Sequence, residues 1–147
     1  MRYSEEIIIL QPREKTAALL ADSASYKRWQ AKLESFEHIS GTPGAPGAKS
    51  KIIEKAGGRR IEITETLTKR DFPAELSFLY EASGVWNQVN HYFSETAPGQ
   101  TKWVMESEFR CRGRIRALAF FLPGMFKKAT RSYMRAFKQF AENHSDK

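Results

Sequence analysis

Two periodicities divide the chain. Between 59 and 112 apolar and polar residues alternate, as they do in strands with one face buried and one wet. Ile61, Ile63, Glu65 and Leu67 share one face there, and Glu62, Thr64, Thr66 and Thr68 the other. Leu76, Phe78 and Tyr80 form a second apolar row, and Val89, His91 and Phe93 a third. In the last such run Trp103, Met105, Ser107, Phe109 and Cys111 oppose Val104, Glu106, Glu108, Arg110 and Arg112. From Leu118 to Asn143 the spacing becomes helical: Leu118, Leu122, Phe126, Tyr133, Phe137 and Phe140 recur at three, four or seven, against Lys127, Lys128, Arg131, Arg135 and Lys138. This predicts a long amphipathic helix lying across an apolar sheet face, with a break or kink at Pro123 and Gly124.

Turn residues separate the strands. Expected strands cover 2–10, a short run at 36–40, then 49–56, 59–70, 75–83, 86–96 and 101–112. Between them stand Gly-Gly at 57–58, Asp-Phe-Pro at 71–73, Gly84 and Ala-Pro-Gly at 97–99. Such short connections favour antiparallel neighbours. After the first strand, Pro12 suits the first turn of a helix, and Asp22 suits the cap of a second short helix reaching Trp29 and Leu33. Trp29, among Lys27, Arg28, Gln30 and Lys32, reads as a single anchor driven into the core. At 41–48, three glycines and two prolines in eight residues form a loop, either a connector or the rim of a pocket. The whole chain, 1–147, reads as a single α+β domain of about seven antiparallel strands with a long C-terminal helix.

Five stretches resemble a known superfamily. They are Asp-Ser-Ala-Ser-Tyr-Lys-Arg-Trp at 22–29, Ile-Ser-Gly-Thr-Pro-Gly-Ala-Pro-Gly-Ala at 39–48, Gly-Arg-Arg-Ile-Glu-Ile-Thr-Glu-Thr-Leu at 58–67, Gln-Thr-Lys-Trp-Val-Met-Glu-Ser-Glu-Phe-Arg at 100–110, and Pro-Gly-Met-Phe-Lys-Lys at 123–128. With the order strand, two short helices, six strands, long helix, the chain resembles the helix-grip fold of the SRPBCC or START-like superfamily. That superfamily includes polyketide cyclases and dehydrases, lipid-transfer domains and birch-pollen-allergen proteins. The resemblance implies a curved sheet gripping the C-terminal helix, with an apolar cavity between them for a lipid or polyketide-like molecule. It carries over no catalytic residue, since the superfamily has no universal one, and it implies no cofactor.

Charge and candidate chemistry refine this picture. The net charge of +7 lies in 101–147, where 11 Lys and Arg face 4 Asp and Glu, while 1–100 holds 13 of each. A basic face can attract nucleic acid, anionic lipid or an acidic partner, but here it is also the solvated back of an amphipathic helix. The aromatics lie on the opposite face, so no nucleic-acid partner is expected. One cysteine excludes an intramolecular disulfide, no apolar run approaches the ~20 residues of a bilayer span, and a cytoplasmic protein is expected. An edge strand or the mouth of the grip could support a homodimer.

The inward-facing polar residues are the candidates for function, because each costs free energy unless paired or used. Glu65, flanked by Ile63 and Leu67, is the sharpest. Buried there its pKa should rise, and it could orient a ligand or move a proton. The other readings are a hydrogen-bonded structural cluster, or a carboxylate that escapes at a strand end. His91, Tyr80, Gln88 and Ser107 could complete a polar patch. The expected ligand-facing set is Ile63, Glu65, Phe78, Tyr80, His91, Phe93, Trp103, Met105, Phe109, Leu122 and Phe126.

Other chemistries find little support. His38, His91 and His144 lack a metal-binding spacing, Gly-Gly-Arg-Arg at 57–60 lacks the end of a phosphate loop, and Cys111 reads as inert packing. Three functions stay open. They are binding or transport of a small hydrophobic molecule, cyclase or dehydratase chemistry through an inward Glu65, His91 or Tyr80, and a protein-interaction module whose ten phenylalanines and three tryptophans fill the cavity. The first is preferred, for want of a recognisable catalytic constellation, so the chain reads as more a binder than an enzyme.

Overall fold

The computed structural model describes residues 1–114 and 123–144. β1 (Arg2–Ile9) leads through α1 (Arg13–Ala21), a 3-10 turn (Ser23–Ser25) and α2 (Tyr26–Trp29) to β2 (Leu33–Ser40). Then come β3 (Lys49–Ala56), β4 (Arg59–Asp71), β5 (Glu75–Ala82), β6 (Val85–Ala97), β7 (Gln100–Cys111) and α3 (Pro123–Glu142). All pairings are antiparallel, and the seven-stranded sheet has the order β1-β7-β6-β5-β4-β3-β2. The helices after β1 therefore carry the chain from one edge of the sheet to the other.

Irregularities in the ladder curve the sheet. Register shifts fall at Leu33/Ser35 and His38/Ser40 in β2, Leu67/Lys69 in β4 and Glu95/Ala97 in β6, where an extra residue bends a strand and increases its twist. The concave face holds the core: Ile9, Leu20, Trp29, Leu67, Leu76, Val89, Phe93, Trp103, Met134 and Phe137 are all buried. α3 lies on it through Thr130, Met134, Phe137 and Ala141, spaced by three or four, while Lys127, Lys128, Arg131 and Arg135 stay exposed. Arg131 pairs with Glu5 of β1 at 3.0 Å, and Lys138 Nζ donates to the Ile8 carbonyl at 2.6 Å, which ties the helix to the β1 edge.

Expected strand limits agree with the observed ones to within one residue at each end, except in β2. There the short helix stops at Trp29, and Leu33 opens β2 rather than ending a helix. Leu33 is buried opposite Glu54, and its amide takes the Gln30 carbonyl at 3.2 Å. Asp22 caps the 3-10 turn before α2 rather than α2 itself, its carboxylate accepting from the Ala24 amide at 3.2 Å, and Ser25 stands at the α2 N-cap. α3 is described from Pro123 onward, so the expected break or kink falls at the edge of the described residues. Leu118 and Leu122 lie outside the described residues. No described helix is long and apolar enough to cross a membrane.

Candidate functional site

Strand register aligns a polar row across the concave face. Ser50 of β3 stands opposite Glu65 of β4, Glu65 opposite Tyr80 of β5, Tyr80 opposite Asn87 of β6, and Asn87 opposite Phe109 of β7. Between this row and the helices the sheet and α3 do not meet. A cavity of about 210 Å3 remains, roofed by Tyr26 and Gln30 at α2 and by Tyr133 of α3. Leu33, Ile52, Ile63, Val89 and Met105 form its apolar wall, and Glu54, Glu65, Tyr80 and Asn87 complete the lining. A second cavity of about 130 Å3 shares Tyr26 and Glu65 with the first and continues along Leu67, Leu76 and Phe78 to the 41–48 loop. Pro43 and Gly44 there are exposed, so the loop is a rim and not a plain connector.

Glu65 governs the electrostatics. Only 7% exposed, it has its pKa pushed up to about 7 by loss of water, an effect opposed by the Tyr80 hydroxyl within hydrogen-bonding reach. Tyr26, Tyr80 and Tyr133 are each pushed up, first by burial and then by the nearby Glu65 charge. Burial also raises Glu54, against the pull of Lys32. The Asn87 amide donates to Ser107 Oγ at 2.9 Å and to the Glu108 carbonyl at 3.1 Å, which fixes its carboxamide at the cavity floor.

The structure divides the expected ligand-facing set. Ile63, Glu65, Tyr80 and Met105 line the larger cavity, and Phe78 lines the second with Glu65. His91, Phe93 and Trp103 line neither; they are packed solid. Trp103 Nε1 donates to His91 Nδ1 at 3.0 Å, and Trp103 meets the Phe137 ring edge-on at 5.0 Å. Burial pushes the His91 pKa down to about 3, so the ring is neutral with its proton on Nε2. Phe109 and Phe126 pack on each other at 4.6 Å, beside Tyr3, whose hydroxyl meets Thr130 Oγ1 at 2.7 Å, and close one end of the grip. Leu122 lies outside the described residues.

One expectation is corrected. Gln88 faces the convex side, where its amide donates to Thr68 Oγ1 and Asn90 Oδ1, both at 3.1 Å; its neighbour Asn87 takes the inward place. Val89, His91 and Phe93 were the signal for this, since an inward Val89 puts Asn87 on the same face. Tyr26, Gln30, Leu33, Ile52, Glu54 and Asn87 line the cavity without belonging to the expected ligand-facing set. Tyr133, on the apolar stripe of the helix, turns to the cavity, and Trp29 anchors the core, its ring 4.8 Å from Tyr133 and 5.1 Å from Phe137.

Comparison with known proteins fits this architecture. The aromatase/cyclase Zhui from Streptomyces sp. R1128 superposes with a TM-score of 0.81 at 14% identity, over 97% of this chain and 93% of that one. A START superfamily protein from Mycobacterium smegmatis gives 0.77 at 9% identity, over 96% and 97%. Norcoclaurine synthase from Thalictrum flavum gives 0.76 at 11% identity, over 100% and 89%. At these identities the likeness shows the fold. No curated protein matches the chain in sequence. The profile described as polyketide cyclase / dehydrase and lipid transport matches residues 1–142. The chain therefore belongs to the polyketide cyclase / dehydrase and lipid transport family, built on the START-like helix-grip fold.

Proposed function

We propose that the protein binds and carries a small, largely apolar molecule between the sheet and α3. The observation that carries this reading is the 210 Å3 gap itself, bounded by Ile52, Val89 and Met105 yet floored by a buried carboxylate and an amide. A sheet and helix with no occupant to accommodate would close such a gap, because interiors pack to near-crystalline density. Ligand pockets are mostly apolar with a few convergent polar groups, and typically span roughly 300–1,000 Å3. This cavity, even with its 130 Å3 extension, sits at the low end of that range. The volume supports a compact ring-bearing molecule over a two-chain lipid. A protein-interaction module with a wholly filled core is less favoured, since the aromatics around Trp103 and Phe137 and around Phe109 and Phe126 leave the space between them open.

A second reading is proton transfer on such a molecule. A carboxyl titrating near 7 next to a tyrosine hydroxyl has the pKa an acid–base group needs at neutral pH. Protein-observed NMR with 2-naphthol as probe tests the binding reading: shifts should cluster at Leu33, Ile52, Ile63, Val89 and Met105. Shifts scattered over the convex face would count against it.

A further inference from the structure

We propose, resting on the binding reading above, that the molecule held here carries a protonated amine, seated against Glu65 among Tyr26, Tyr80 and Tyr133. The charge of the lining points that way. The larger cavity presents two carboxylates, Glu54 and Glu65, and none of its described lining residues is Lys, Arg or His. Glu54 has Lys32 acting on it, but among the described residues no cation acts on Glu65, whose influences are burial and the Tyr80 hydroxyl. The second cavity brings His38 and Arg70 only to its exposed rim. There Arg70 reaches the Gly44 carbonyl at 3.4 Å and covers the Phe72 ring at 5.3 Å. The protein as a whole carries +7, so the acidic interior is not a sample of its composition.

A buried carboxylate without a counter-charge is costly, and an anionic occupant would add repulsion from both glutamates. A neutral occupant leaves Glu65 to remain protonated. An ammonium supplies the missing charge, and the surrounding tyrosine rings and hydroxyl oxygens add cation–π attraction and acceptors. Val89, Met105 and Ile52 take the hydrocarbon body. Ligand charge, not only ligand size, thus decides selectivity.

The test uses three molecules of one body and different charge, 2-phenylethylamine, 2-phenylethanol and phenylacetate, titrated at pH 7.5 into the full chain and its Glu65→Gln variant by protein-observed NMR. The expected ranking is amine over alcohol by about tenfold or more, which is 1.4 kcal/mol, with phenylacetate weakest. In Glu65→Gln the amine should lose that advantage over the alcohol. Alcohol and amine binding alike, or an amine preference that survives Glu65→Gln, would overturn the inference and leave the cavity reading standing. Binding by none of the three would overturn both. If the variant does not fold, the wild-type ranking alone decides.

Discussion

Glu65 and His91 are both buried ionisable groups on the concave face, and they make opposite demands on pH. The folded Glu65 pKa of about 7 lies above the ordinary 4.5, so folding favours the protonated carboxyl. Its contribution is full below pH 4.5 and is lost as pH rises through 7, about 3 kcal/mol in all. Glu65→Gln should therefore be more stable than wild type at pH 8, with the difference shrinking toward pH 4.5; urea unfolding at both pH values reads this. His91 runs the other way. Its folded pKa of about 3 lies below the ordinary 6.5, so the stability of the neutral ring is present above 6.5 and lost as pH falls toward 3. His91→Phe should cost roughly 1–3 kcal/mol at pH 7, because Trp103 Nε1 loses its acceptor, yet unfold less steeply in acid. Equal acid sensitivity in the two proteins would contradict the buried, neutral assignment. Alternation alone made Ile63, Glu65, Tyr80 and Met105 legible in the sequence. It could not separate cavity wall from packed core, because both are simply inward: His91 and Trp103 satisfy one another, which no spacing records. Asn87 and Gln88 carry the same amide chemistry, so composition did not reveal which of them faces inward.

At the level of elements, the strands were legible because their turns are marked by glycine and proline and their faces by alternation. The elements over the cavity were less so. α2 is a single turn whose Tyr26 becomes a roof residue through packing against Phe36 and Trp29, at 5.3 and 6.2 Å, a tertiary event with no local signal. The 41–48 loop was legible as a loop, and its role as a rim follows from two long-range bonds, Gly47 N to the Leu67 carbonyl at 2.7 Å and Leu67 N to the Ala48 carbonyl at 2.9 Å. Gly41 makes that turn possible: its φ is +79°, and an added Cβ would stand 2.8 Å from the Ala48 Cα. Gly41→Ala should destabilise the protein by more than about 1 kcal/mol and shift the amide resonances of Gly47 and Leu67. A variant with unchanged stability and unchanged loop resonances would remove the loop from this account.

Taken whole, the molecule is a sheet that grips a helix toward both ends and stands off from it between them. Trp103, Phe137 and Trp29 close one end and Phe109 and Phe126 the other; Glu65, Tyr80 and Tyr133 face the gap. Lys127, Lys128, Arg131 and Arg135 stay outside, on the exposed side of α3, while the cavity lining is acidic. The central claim is that the gap exists to be occupied. Native mass spectrometry of the protein purified from its own host, beside an Ile63→Trp variant whose indole projects into the 210 Å3 cavity, tests it most directly. The account predicts a bound small molecule on the wild type, released on denaturation, and its loss from Ile63→Trp while the fold persists. A bare wild-type mass, or the same bound molecule on both proteins, would contradict it.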